Sequence, residues 1–135
     1  MDLPDRNYKL LRLHGAWTRE RTPEITNLGH GITRLQSTCG ASSFGIHPFF
    51  GLLEQDCSET KGICYGVQLV YSGNFALTAE RNAFGTVRLG GGINDEQFCW
   101  EVRSGESFVT PQALLCYSER GLGELSREYA DLIRE

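Results

Sequence analysis

Hydrophobic positions recur with a short period along most of the chain and switch to a helical period only near its end. The short runs Tyr8–Leu13, Ile32–Leu35, Pro48–Leu53, Ile63–Tyr71, Phe84–Leu89, Phe98–Val102 and Ala113–Tyr117 are rich in aromatic and branched side chains. Such side chains fit a pleated surface and lose rotamer freedom in a helix. Between the runs lie Ser72-Gly73-Asn74, Gly90-Gly91-Gly92 and Ser104-Gly105, residue types that accept tight turns. Short strands with this punctuation predict an all-β fold, an antiparallel β-sandwich. Near the end, Leu122, Leu125, Tyr129, Leu132 and Ile133 fall at helical spacing, with Arg127, Glu128, Asp131 and Arg134 on the other face. That pattern predicts a C-terminal amphipathic helix. The domain reading is therefore a sandwich over residues 1–121 and a helix over 122–135.

Charge and size narrow the partners. A chain of 135 residues buries one modest core. Its net charge is −4, its only lysines are Lys9 and Lys61, and its arginines are scattered among acids. Nucleic acid and anionic membrane are excluded as partners on this ground, because both need a clustered positive field. No segment approaches the roughly 18 apolar residues that a membrane helix requires. Met1–Leu13 carries Asp2 and Asp5 and no apolar run, which argues against a secretory signal. Cys39, Cys57, Cys64, Cys99 and Cys116 are odd in number and contain no C-x-x-C pair. The expectation is buried free thiols in a reducing cytoplasm, without disulfides or a zinc site.

Candidate chemistry is sparse. Glu54 with Asp56 and Asp95 with Glu96 read as solvated turn acids rather than as the paired carboxylates of a glycosidase. His14, His30 and His47 lie near turn residues, and no motif ties them to Cys39, Ser42 or Ser43 as a nucleophile would require. No metal-ligand spacing is present, and Gly90-Gly91-Gly92 precedes no helix signal, so it reads as a strand-connecting turn and not a phosphate cradle. No cofactor is expected. Trp17 is the one candidate for ligand contact, since a flat indole covers the apolar C–H face of a sugar while its N–H donates to a hydroxyl. Packing into the sandwich is the alternative for Trp17. Trp100, in Gln97-Phe98-Cys99-Trp100, reads as a core strand residue.

Five motifs stand in a fixed order: Gly15-Ala16-Trp17-Thr18-Arg19-Glu20-Arg21, Gly40-Ala41-Ser42-Ser43 with Pro48-Phe49, Gly66–Phe75 with its Gly-Asn step, Gly92-Ile93-Asn94, and Gly105-Glu106-Ser107-Phe108-Val109-Thr110-Pro111. Together they resemble the region just before the catalytic barrel in glycoside hydrolase family 36 α-galactosidases, over about Leu10 to Arg134. The resemblance implies the later part of an N-terminal β-supersandwich, with the helix leading into a (β/α)8 barrel. It also implies hydrolysis of terminal α-linked galactose by a retaining mechanism, assembly as a homotetramer, and a tryptophan near the galactose pocket, placed at Trp17. The family's catalytic aspartates lie in barrel motifs that do not occur here, so no residue inherits a catalytic role and the chain alone is expected to be inactive. One loop departs from the family pattern: Phe44-Gly45-Ile46-His47 replaces His-Gln-His-Asn before Pro-Phe, and Cys39 stands where an arginine is common. Both ends are expected to be cut from a longer protein, leaving the apolar face of the helix uncovered. A stand-alone carbohydrate-binding module and an oligomer-interface module are the rival readings.

Overall fold

The computed structural model describes residues 1–42 and 45–134. Among the described residues, nine strands precede one helix: β1 (Asp2–Pro4), β2 (Lys9–Ala16), β3 (Arg19–Asn27), β4 (Gly31–Gln36), β5 (Ile46–Leu53), β6 (Cys64–Val70), β7 (Phe75–Arg81), β8 (Thr86–Ile93), β9 (Gln112–Ser118) and α1 (Leu122–Arg134). They form a four-stranded sheet, β1-β8-β7-β4, and a five-stranded sheet, β3-β2-β5-β6-β9. All pairings between these strands are antiparallel. This is the sandwich that the hydrophobic pattern predicts.

The alternation of side chains explains both layers of packing. Leu10, Phe50, Leu52, Val67 and Leu69 point from the five-stranded sheet into the space between the sheets, where they meet Leu35, Phe75, Leu77, Ala79, Val87 and Leu89. Their neighbours Leu11, Leu53 and Cys64 point the opposite way and form a second cluster under α1, with Leu125 and Tyr129. A sheet covered on both faces reads as a nearly continuous apolar run, which is why Pro48–Leu53 shows no alternation. The Tyr129 ring lies on Gly66, where an added Cβ would stand 2.7 Å from it. The same ring meets Phe49 edge-on, with centroids 6.0 Å apart.

The helix starts where the β5–β6 loop supplies acceptors. The N–H groups of Gly121, Leu122 and Gly123 donate to the carbonyls of Gly62, Ser58 and Glu59 at 3.0, 3.0 and 2.9 Å. First-turn amides have no partner within the helix, so these bonds fix where it begins and how it lies. The helical face therefore differs from expectation. Leu125 and Tyr129 are buried against the chain's own sheet, while Leu132 and Ile133 are exposed.

Other sequence expectations are corrected as well. Phe98–Val102 is not a strand but part of an irregular stretch between β8 and β9. Its aromatic side chains pack on one another instead of on a sheet. Trp100 is 62% exposed and stacks at a tilt on Phe108, with centroids 5.3 Å apart, so it is not a core residue. Gly90-Gly91-Gly92 lies inside β8 rather than in a turn, and Leu77 fills the space that a side chain at Gly91 would need. Strand β3 escaped the pattern because it is an edge strand of mostly polar, exposed residues. Strands β1 and β7 lay outside the predicted runs. All five cysteines are free, but only Cys64 is buried, and Cys39 and Cys99 are exposed.

Candidate functional site

The candidate site is the hairpin of β2 and β3. Its base is anchored in the core by Tyr8, Leu10 and Leu28, and its tip is the turn Trp17-Thr18. Trp17 is 87% exposed, which excludes the reading in which it packs into the sandwich. A large indole left in water at the end of an ordered arm is free to meet a ligand or a partner surface.

The arm is bent below its tip. The β2–β3 register shifts between His14 and Ala16, with Ala16 opposite Arg19. The β2–β5 register shifts between Arg12 and His14, with His14 opposite Ile46. Irregularities of this kind bend a strand and re-aim the side chains beyond it. Gly15, at the bend, donates its N–H to the Gly45 carbonyl at 2.8 Å. Gly45 has φ +82°, a left-handed conformation that glycine adopts without strain. Thr18 at the tip (φ 71°) and Arg21 beyond it (φ 59°) also adopt left-handed backbone. The Thr18 N–H donates to Glu20 Oε1 at 3.0 Å.

Halfway along the arm, Arg12 Nε and an Nη donate to the two Glu24 carboxylate oxygens at 2.8 and 2.9 Å. The Arg12 hydrogen bonds hold the Glu24 carboxyl below the usual glutamate range. His14 Nε2 lies 3.9 Å from Glu24 Oε2. His47, on β5, is half-buried, and burial followed by the nearby Arg21 charge depresses its pKa. His14, Gly15, Ala16, Arg19, Thr22 and Gly45 line a shallow depression beneath the tip.

The tip exposes an indole face, the kind of surface that covers the C–H face of a sugar, and the depression beneath it carries the polar side chains of His14, Arg19 and Thr22. Both carboxylates of the arm are engaged in holding it: Glu24 accepts from Arg12, and Glu20 accepts from the Thr18 N–H. Among the described residues no group of three or more His, Cys, Asp or Glu is placed to hold a metal ion. No helix among the described residues is long and apolar enough to cross a membrane.

The described part of the divergent loop lies beside the arm. Gly45 accepts from Gly15 and Ile46 pairs with His14, whereas Phe44 and Ser43 lie outside the described residues. Sequence reasoning missed Glu20 and Gly45 as supports of Trp17. The glycine was a visible signal, but its partner lies thirty positions away in the chain and only the sheet pairing reveals it.

Comparison with known proteins gives a consistent picture. The glycosyl hydrolase family 36 N-terminal domain matches residues 1–103. The chain is similar to α-galactosidase Mel36A of Lactobacillus acidophilus, 38% identical over 135 residues, covering 100% of this chain and 18% of the relative. It is 41% identical over 134 residues to α-galactosidase AgaA of Geobacillus stearothermophilus, covering 99% of this chain and 18% of that one. Among solved structures, AgaB of G. stearothermophilus superposes with a TM-score of 0.95 at 40% identity, covering 99% of this chain and 18% of that chain. An AgaA variant solved in complex with raffinose gives 0.95 at 41% identity, over 99% of this chain and 19% of that chain. The chain thus spans less than a fifth of the length of these relatives.

Proposed function

The chain belongs to glycosyl hydrolase family 36, as an N-terminal domain of that family, and from this premise we propose that it is the non-catalytic domain of an α-galactosidase that hydrolyses terminal α-linked galactose from oligosaccharides. Trp17 is its contribution to the substrate site, stacking on the galactoside while a barrel outside these residues performs the retaining displacement. The observation that carries the reading is Trp17 itself, 87% exposed at the tip of an arm whose base is buried in the core. Support also comes from an AgaA variant, at 41% identity, having been solved with raffinose bound. The proposal extends to a homotetramer in the cytoplasm. Five free thiols suit a reducing compartment, and the exposed Leu132 and Ile133 suit an assembled molecule.

The test is a chimera in which this chain replaces the matching 134 residues of AgaA. The chimera is expected to hydrolyse raffinose, and the 135-residue chain alone is expected not to. Trp17→Ala in the chimera is expected to lower kcat/KM by about tenfold, the order of one aromatic contact plus lost desolvation. Unchanged kinetics in that variant would remove Trp17 from the substrate site. Galactoside binding by the isolated chain, seen by calorimetry, would favour a self-standing sugar-binding module.

A further inference from the structure

An indole that is 87% exposed has almost no packed surroundings, so its position rests on the backbone beneath it. Two features of that backbone are specific to the arm. At Gly15 an added Cβ would stand 2.0 Å from the Arg19 carbonyl oxygen and 2.8 Å from the Glu20 Cα. Both are main-chain atoms of the opposing strand, which no side-chain rotation can move aside. At the tip, the left-handed Thr18 is held by the bond from its N–H to Glu20 Oε1. Thr18 is not glycine, so this conformation carries strain that a local hydrogen bond offsets.

We propose that Gly15 and Glu20 are positioning residues for Trp17: Gly15 allows the close approach of β2 to β3 that sets the direction of the tip, and Glu20 locks the turn that carries the indole. The inference rests on the reading that Trp17 meets the galactoside, and it adds which residues fix the indole's place. Neither residue touches the sugar in this account. Each acts only through Trp17, so its loss has no further kinetic effect once the indole is gone.

Two measurements test it. In the chain carrying Trp100→Phe, Trp17 is the only tryptophan, and its fluorescence anisotropy and iodide quenching report the tip directly. Gly15→Ala and Glu20→Ala are expected to lower the anisotropy and change the quenching, while Glu20→Gln, which keeps an acceptor oxygen, restores the parent values. In the AgaA chimera, Gly15→Ala is expected to raise KM about tenfold with little change in kcat, as for lost ground-state contact. Added to Trp17→Ala, it is expected to change nothing more. Additive losses would overturn the inference, because a general defect of the fold acts in both backgrounds. Unchanged anisotropy and quenching in the Gly15 and Glu20 variants would overturn it whatever the kinetics. Silent kinetics in Trp17→Ala with a shifted fluorescence signal would instead overturn the galactoside reading and support the positioning claim. Should Gly15→Ala fail to fold, the Glu20→Ala and Glu20→Gln pair decides: loosening by one and rescue by the other supports the inference, and equal behaviour overturns it.

Discussion

The two ends of the β2–β3 hairpin are built on opposite principles. At the base, Tyr8, Leu10 and Leu28 are at most 2% exposed and are held by contact with the four-stranded sheet. At the tip, Trp17 is 87% exposed and is held by backbone hydrogen bonds and the close approach at Gly15. Packing energy secures one end, and chain geometry aims the other. The difference teaches that burial and exposure separate along a single pair of strands, so a residue's distance from the core forecasts whether its loss will cost stability or, on the proposed function, substrate contact.

The sharpest test of that separation is Leu10→Ala, which removes a fully buried side chain at the base. A loss of about 2–5 kcal/mol in stability is expected by denaturant unfolding, enough to depopulate the fold. Trp17→Ala comes next and acts on the other quantity. In the chimera it lowers kcat/KM about tenfold, whereas stability of the chain shifts by no more than about 0.5 kcal/mol, the range for surface positions. Thermal melts of both variants beside the kinetics break the comparison if Trp17→Ala destabilises as Leu10→Ala does.

Tyr8 sharpens the account of the base. Its hydroxyl is buried with no hydrogen-bond partner among the described residues. Burial also pushes its pKa up to about 12. An unpaired buried hydroxyl is unfavourable, so Tyr8→Phe is expected to raise stability by about 1 kcal/mol. A raised folded pKa means that the contribution is complete below the ordinary value of 10.0 and is lost as pH climbs through about 12. The Phe variant is expected to lose part of that alkaline sensitivity, measured as unfolding midpoint against pH.

The smallest effect lies midway, at the Arg12–Glu24 pair. Because the Glu24 carboxyl is depressed in the folded chain, the contribution of the pair is complete above the ordinary glutamate value of 4.5 and declines as pH falls through the lowered one. Glu24→Gln is expected to flatten the acid limb of the stability profile slightly while leaving the neutral-pH melt nearly unchanged. A large neutral-pH loss would show that the pair, rather than the base, anchors the arm.

The sandwich was legible because its core strands are short runs of aromatic and branched residues separated by turn residues, and α1 because Leu122, Leu125 and Tyr129 carry the helical period. The failures share a cause. Phe98 and Trp100 have strand-like composition, but their partner is Phe108 across a loop, a contact that composition does not encode. The polar β3 was invisible because an edge strand is specified by pairing with β2 and not by burial. At the candidate site, Trp17 was legible as a candidate from residue type and motif. Its supports were not, because Gly15 matters through main-chain atoms of Arg19 and Glu20, and Gly45 through a carbonyl.

The contact between Tyr129 and Gly66 makes two distant positions a single packing unit. The ring occupies the volume that any side chain at residue 66 would need, so helix and sheet mesh there as a knob in a hole. Neither residue is free to change alone: enlarging residue 66 lifts the helix, and shrinking residue 129 leaves a void against β6. Compensated exchange remains open, with Gly66→Ala tolerated in company with Tyr129→Leu and harmful without it. Measured as a double-mutant cycle, the two substitutions are therefore expected to be non-additive, with the seating of the helix on the sheet as their shared term.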